Sequence, residues 1–506
     1  MKANRTLYIS LVFLILVLSC IFRLYGLDRL SLWSDELWVV MESTRGSVWQ
    51  MLGWVYHNDN HPPGYYLLLR YTQFIFGSSD YAIRFPSAIA GIALVGATFV
   101  AGRKHFSLPA AVIASALVAG SYQAIYYSQE ARPNIFMALF ALLAFHYFRA
   151  VILEGDDSRK NYLLFWVSAA LSCYFHYSGL VFCACLGVVY LIVALTERNK
   201  KTTAAGIKLF LPLAIFYLPW ISGTLHDLVN SPPELWQRTP DTNTLKTTVW
   251  FLFGPDDVQV FFYLAVLLIT VVILFIKKDN YSLILYTLAM IFLPVALFFI
   301  KSVFSQDAYN HRHFLYAIPL MALLAGYLIH EVINWCPQRY QTAVVVAVTL
   351  FIIGYQFFEN VSGGLYTANH FKEEYREGAQ VVANDNEFLQ GSNHAIISNS
   401  YFFDHYLNRF TANKHQSDFI YDRPGKFAEL QLFLETHHTA VFYYLETPLI
   451  PAANKMITDE DRSLSESYRP LCRTRFGRVQ VFKFSIDNNA VKENLSNLPD
   501  CRPGSP

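Results

Sequence analysis

The stretch Leu30-Ser31-Leu32-Trp33-Ser34-Asp35-Glu36-Leu37-Trp38 sets two adjacent carboxylates among aromatic residues. The loop it opens closes at His57-Asn58-Asp59-Asn60-His61-Pro62-Pro63-Gly64-Tyr65-Tyr66. An apolar run from Leu7 to about Leu24 comes directly before it. Acids beside hydrocarbon are costly to keep, so their presence at the lip of a membrane span points to a site. The pair also suits a purely structural role. Ser34 can cap a helix running to about Met51, with Asp35 and Glu36 in its first turn. On these residues alone both readings stay open.

The run before the loop decides the class of protein. Met1-Lys2-Ala3-Asn4-Arg5 followed by apolar residues could open a signal peptide. However, Arg23-Leu24-Tyr25-Gly26-Leu27-Asp28 has no small-x-small cleavage pattern, and the run is long enough to span, so an uncleaved first helix is predicted. The chain has 506 residues, 54% hydrophobic and only 15% charged, with a mean hydropathy of +0.29. A soluble domain would carry more charge. The composition predicts an α-helical polytopic membrane protein. The net charge of +1 gives no sign of a nucleic-acid partner.

Working outward, a membrane helix needs about 20 largely apolar residues. Spans are predicted near 7–26, 84–102, 108–127, 134–152, 161–177, 179–196, 207–222, 258–276, 281–300, 314–334 and 341–358. With the N-terminus in the cytoplasm, each inner loop receives its cations. These are Arg103-Lys104-His105, Arg149 with Arg159-Lys160, Arg198 with Lys200-Lys201, Lys277-Lys278, and Arg339. Pro63 to Phe76 is apolar but short and contains Arg70 and Gln73. It reads as a helix lying along the membrane surface, within the first outer loop.

An odd number of spans leaves the C-terminal region outside. The predicted division is a transmembrane domain over 1–358 and a small α/β domain over 359–506, periplasmic in a bacterial inner membrane. In the second domain, 370–388, 401–410 and 427–436 read as helices. Residues 395–398 and 439–445 read as strands, and 473–484 as a hairpin or edge strand. Cys472 and Cys501 are the only cysteines there and are predicted to pair. Cys20, Cys173, Cys183, Cys185 and Cys336 read as small buried hydrophobes.

Four polar clusters fall on the predicted outer face. The first is Asp35-Glu36 with His57, Asp59 and His61. The second is Tyr126-Tyr127-Ser128-Gln129-Glu130-Ala131-Arg132-Pro133. The third is Tyr174-Phe175-His176-Tyr177-Ser178-Gly179, and the fourth Gln306-Asp307-Ala308-Tyr309-Asn310-His311-Arg312-His313-Phe314. Each alone could be a solvated loop, but together they carry acid–base and phosphate-binding groups on one side. His57 and His61, four apart with Asp59 between, leave room for a divalent metal, although Asn58, Asn60 and Pro62-Pro63 favour a loop. No cofactor is required by the pattern.

In their order and topology, Asp35-Glu36, His61-Pro62-Pro63-Gly64-Tyr65-Tyr66, Ser128-Gln129-Glu130-Ala131-Arg132-Pro133 and Arg312-His313-Phe314-Leu315-Tyr316-Ala317-Ile318-Pro319 resemble the signatures of GT-C membrane glycosyltransferases. The branch they resemble contains protein O-mannosyltransferases and the lipid A aminoarabinose transferase. The resemblance covers roughly residues 1–330. It implies a polyprenyl-phosphate-linked sugar as donor, an acceptor lipid, protein or glycan met on the periplasmic side, and inversion at the anomeric carbon. It implies Asp35 as general base, with Glu36 beside it, and Glu130 at a second acidic position. His61 stands where the aminoarabinose transferase has a phosphate-binding lysine.

The chemistry agrees with these residue types. A departing phosphate gains charge, and a planar guanidinium pairs two of its oxygens. Arg132 and Arg312 are the candidates, helped by His61, His176, His311 and His313. Tyr65, Tyr66 and Tyr177 could stack on sugar. Two rivals remain at this level: a polytopic sugar or lipid transporter, and a non-catalytic subunit of an envelope polysaccharide assembly. No internal repeat favours the transporter.

Overall fold

Long apolar runs fold as helices because hydrocarbon leaves no other partner for the backbone. The computed structural model describes residues 2–230, 240–254, 256–276, 281–305, 309–365, 373–391, 393–412, 415–421, 426–447, 464–476, 478–486 and 498–502. Lys277-Lys278, Gln306-Asp307-Ala308 and the start of the 370–388 helix lie outside these residues. The chain divides into two compact units. One is Met1–Leu27 with Glu42–Thr367, and the other is Asp28–Met41 with Ala368–Pro506.

In the first unit seven described helices are long and apolar enough to cross a membrane, or nine if each of two bent pairs counts as one span. The other two predicted spans are the helices Arg159–Phe175 and Ala317–Ile333, each of 17 residues. At one end of the bundle Glu154 gathers the neighbouring cations. Its carboxylate lies 2.8 Å from His105 Nδ1, 3.4 Å from Lys104 Nζ and 3.4 Å from Arg149 Nε. The His105 hydrogen bond, followed by the nearby charges, brings its pKa down to about 2. The two loops read as lying on one side of the membrane therefore do meet.

The predicted single span 108–127 is broken. Leu108–Ala119 ends at Gly120, and Ser121 caps a new helix, Tyr122–Ser128, bent by 59° from the first. A helix end leaves its last carbonyls without partners, and in a water-poor interior each unmet one costs about 1–3 kcal/mol. Side chains from distant helices meet them here. Gln356 Nε2 donates to Leu117 O at 3.0 Å and Asn360 Nδ2 to Gly120 O at 2.8 Å. The fully buried Arg23 donates to Val118 O at 3.0 Å and Ala119 O at 2.9 Å.

The first outer loop also differs from its reading. One helix was expected from Ser34 to Met51, but Ser34–Ser43 and Val48–Asn58 are separate. Gly46 takes a positive φ of 47°, and Ser47 forms a capping box with Gln50 that restarts the helix. The Gly64–Phe76 helix forms as predicted. It buries Tyr65, Tyr66, Leu69 and Thr72 and exposes Tyr71, Phe74, Ile75 and Phe76. A face that apolar suits the boundary of a bilayer.

The second unit is α/β. Its strands are β1 (His394–Ser398), β2 (Phe419–Ile420), β3 (Val441–Glu446), β4 (Arg469–Phe476) and β5 (Val479–Ser485), in the order β2-β1-β3-β5-β4. β1 runs parallel to β2 and β3, while β5 is antiparallel to β3 and β4. One face packs Ile397, Phe442, Tyr444, Phe482 and Phe484 against Leu430 and Leu434 of the Phe427–Thr436 helix. The predicted 370–388 helix is two, Tyr375–Ala383 and Asn386–Gln390, because Asp385 caps the second. Cys472 and Cys501 form the predicted disulfide.

Candidate active site

The His61-Pro62-Pro63-Gly64 turn owes its position to what it lacks. Pro62 and Pro63 cannot continue the Val48–Asn58 helix, so the chain turns and restarts at Gly64. A Cβ on Gly64 would sit 2.5 Å from the carbonyl oxygen of Tyr174. Only glycine lets the turn approach that backbone. Residue 174 lies in the last turn of the Arg159–Phe175 helix, and His176 opens the next. The close approach brings the His61 and His176 rings to 5.4 Å.

His313 completes the row, its ring 4.9 Å from His176. It belongs to the short 3-10 turn His311–Phe314, which Asn310 caps by accepting from the Arg312 N–H at 3.2 Å. Asn134, just after the Glu130-Ala131-Arg132 segment, donates to Arg312 O at 3.4 Å. Parts of all four predicted clusters thus converge in the first unit, the first cluster contributing His61 and Asp59 but not Asp35 or Glu36.

Burial and hydrogen bonding set the protonation of Tyr66 and His176 here. Asp59 lies 2.8 Å from His61 Nδ1 and accepts from the Tyr66 hydroxyl at 2.6 Å. Burial first, and Asp59 second, hold the Tyr66 pKa well above its ordinary value, with Arg132 opposing them. Tyr66 is therefore a neutral donor. His176 Nδ1 accepts from the Ser178 N–H at 3.1 Å, which leaves the ring proton on Nε2. Burial holds its pKa well below the usual range, and His313, His61, Arg312 and Arg132 add to the effect. His311 is pushed down to about 4 by burial and Arg312. Arg132 and Arg312 bring guanidiniums, which stay charged, within electrostatic reach of His176. Two guanidiniums among imidazole donors form a surrounding suited to a phosphate.

The other predicted residues take varied places. Glu130 and Arg132 are 2% and 5% exposed, so both are held inside the protein. Gln129 fastens their segment by donating to Tyr25 O at 2.8 Å. Tyr65 packs its ring against Phe136 and Phe175, with its hydroxyl 3.3 Å from Ser87 Oγ. Tyr177 donates to Asp227. The His57 ring meets Tyr56 and His226 edge-on. Among the described residues no three His, Cys, Asp or Glu side chains stand close enough to share a metal ion.

Asp227 escaped the sequence reading because the span was ended near 222. The helix in fact runs Lys200–Asn230. Trp220, Thr224 and Asp227 recur at i, i+4 and i+7, a spacing that could have shown them on one face.

Asp35 and Glu36 belong to the second unit. The Ser34 hydroxyl turns to Glu373 at 3.4 Å rather than back onto its own helix, so the expected serine cap does not form. Glu36, fully buried, instead accepts from the Trp33 N–H at 3.3 Å. Asp35, beside it in the first turn, remains half-buried. The segment is tied to its own unit by Arg376, which donates to Asp28 O and Arg29 O, and by the Leu32 N–H, which donates to the Tyr406 hydroxyl at 2.8 Å.

Comparison with known proteins agrees with this architecture. Residues 60–221 match the family described as dolichyl-phosphate-mannose-protein mannosyltransferase. No curated protein matches the chain. Among solved structures, apo ArnT from Cupriavidus metallidurans superposes with a TM-score of 0.58 at 13% identity, covering 95% of this chain and 98% of that one. ArnT bound to undecaprenyl phosphate gives 0.54 at 13% identity, covering 96% and 98%. The apo oligosaccharyltransferase of Archaeoglobus fulgidus gives 0.56 at 12% identity, covering 86% and 69%. The segment that carries His61, Tyr66, Glu130, Arg132 and His176 thus matches a mannosyltransferase family, and the fold of nearly the whole chain is similar to that of ArnT and of the archaeal oligosaccharyltransferase.

Proposed function

We propose that this protein transfers a sugar from a polyprenyl-phosphate-linked donor to an acceptor at the outer face of a bacterial inner membrane. The observation that carries the reading is the convergence of Arg132, Arg312, His61, His176 and His313 within one unit. The donor is a phosphodiester with one negative charge, and the departing polyprenyl phosphate carries a second. A cluster of fixed guanidiniums and imidazole donors favours that added charge, and with it the transition state. ArnT, which shares the fold, has been solved with undecaprenyl phosphate bound.

In this reading the acceptor hydroxyl or amine attacks the anomeric carbon from the face opposite the phosphate, inverting it. Asp35 takes the acceptor's proton. Its assignment rests on the sequence resemblance and on its place in the first turn of Ser34–Ser43, whose N-terminal field favours the ionised form. Glu36 supports that turn through the Trp33 amide. Glu130, buried two residues before Arg132, stands at the second acidic position that the resemblance implies.

The test is incubation of the purified protein with a panel of polyprenyl-phosphate sugars, following release of polyprenyl phosphate. The expected result is turnover of at least one donor by the wild type and its loss in Arg132→Met. No turnover and no binding of any member, by protein that melts cooperatively, would overturn the reading.

A further inference from the structure

Asp227 is a carboxylate set in apolar surroundings near the end of a long helix, with a side chain only 10% exposed. Among the described residues no lysine or arginine pairs with it. Its neighbours are hydrogen-bond donors on aromatic frames. Trp220 Nε1 donates to the Tyr177 hydroxyl at 3.3 Å, and Tyr177 donates in turn to Asp227 Oδ2. His226 Nδ1 stands 3.4 Å from Oδ1. The Tyr56 ring lies 5.0 Å from His226 and 6.2 Å, edge-on, from Trp220.

A carboxylate has about four lone-pair positions, and two neighbours do not fill them. Keeping an ionised acid in such a place is costly, and an apolar residue would serve packing better. The arrangement suits a ligand that donates hydrogen bonds and also presents C–H faces to aromatic rings. It repels phosphate. Yet Asp227 adjoins the cationic cluster. Tyr177 follows His176 in the chain, and Asp59, bound to His61 and Tyr66, lies within electrostatic reach of Asp227. A cationic cluster and a carboxylate framed by aromatic rings therefore lie side by side.

The geometry points to Asp227, with Tyr177, as the recognition site for hydroxyl groups on the glycosyl ring of the donor. The phosphate of that donor occupies the neighbouring Arg132–Arg312 cluster. The inference rests on the polyprenyl-phosphate reading above and deepens it by naming what holds the sugar. No bond is made or broken at Asp227, which is a binding residue for the ring.

The experiment measures affinity of the full chain in detergent for two kinds of probe. One is bare polyprenyl phosphate. The other is the same lipid carrying mannose, glucose, galactose or N-acetylglucosamine. The wild type is expected to bind at least one sugar-bearing lipid more tightly than the bare lipid. Asp227→Asn, which keeps the shape, is expected to lose about tenfold or more of that sugar affinity, as for a charge-assisted hydrogen bond, and to keep its affinity for the bare lipid. Tyr177→Phe is expected to lose less, and carries the test if Asp227→Asn does not fold. Unchanged sugar affinity in the variants overturns the inference. So does equal loss for both probes, which would mark Asp227 as purely structural, or a wild type that binds the bare lipid as tightly as every sugar form. A wild type that binds neither probe overturns the function proposed above instead.

Discussion

Gly64→Ala tests whether the approach of two backbone segments builds the site. The new Cβ would lie 2.5 Å from Tyr174 O and 2.9 Å from the carbonyl carbon, whereas ordinary contact begins near 3.4 Å. The shortfall against the oxygen is 0.9 Å. Both atoms belong to backbone, so no side chain can swing aside, and the turn must retreat by nearly an ångström. Overpacking of this kind costs about 1–3 kcal/mol, which a folded chain can survive. The larger effect falls on the site. His61 would move away from His176, and a misplacement of about 1 Å can cost roughly 100-fold in rate. We expect Gly64→Ala to insert and melt close to the wild type while turning over donor about 100-fold more slowly. Gly53→Ala is the control, because a Cβ there meets nothing within 4 Å. The assay is release of polyprenyl phosphate under single-turnover conditions, alongside thermal unfolding in detergent. Wild-type turnover in Gly64→Ala would show that the 64–174 approach does not set the site.

Asp35→Asn should lower turnover by roughly two to four orders of magnitude, as for a lost general base, and leave donor binding intact; near-normal turnover would return Asp35 to a structural part. Arg312→Lys keeps the charge but loses the planar fork, and should weaken donor binding by about 1.5–3 kcal/mol; unchanged affinity in a binding titration would mark Arg312 as an anchor at the membrane edge. His311, held at about 4 in the fold, sits below the ordinary histidine value of about 6.5. The fold favours its neutral form, so its contribution is full above about pH 6.5 and is lost as pH falls toward 4, amounting to about 3 kcal/mol at most. Thermal unfolding should therefore decline less steeply over that window in His311→Gln, and parallel curves would refute this. Cys472→Ser opens a loop closed across 29 residues, worth about 3–4 kcal/mol by chain entropy; limited proteolysis should then cut the second unit sooner, and an unchanged digestion pattern would count against it.

Much of this architecture was readable in the sequence because its causes are local. Apolar runs mark the helices and β3, and alternation marks the β4–β5 hairpin. The Phe427–Thr436 helix was found at both of its ends. What escaped reading depends on partners far away. Gly120-Ser121 sits in an apolar run and reads as continuous helix, since nothing nearby shows that Arg23, Gln356 and Asn360 will meet the freed carbonyls. The split after Ser43 hung on a glycine at positive φ. At the site, the residue types were legible, whereas the meeting of His61, His176 and His313 depends on three separate turns. The Asp28–Met41 segment shows nothing of its attachment to residues some 340 positions later, such as the bonds joining Asp28 and Ser31 to Arg376.

The broken helix also constrains the order in which the protein can be assembled. The carbonyls that receive Arg23 lie 95 and 96 residues downstream of it. The Lys2–Leu24 helix therefore leaves the ribosome with a guanidinium that has Ser19 of its own helix at hand but whose carbonyl partners do not yet exist. Placed at the end of its helix, Arg23 can reach up to the lipid headgroups in the meantime. It cannot seat until Leu108–Ala119 has been made and has ended at Gly120. Even then two carbonyls wait for Gln356 and Asn360, on the last long helix of the unit. The Lys2–Leu24 helix thus settles only after helices made well after it. Two segments more than 300 residues apart in the chain close over the same break, so it is fully satisfied only when Gln338–Ser362 arrives.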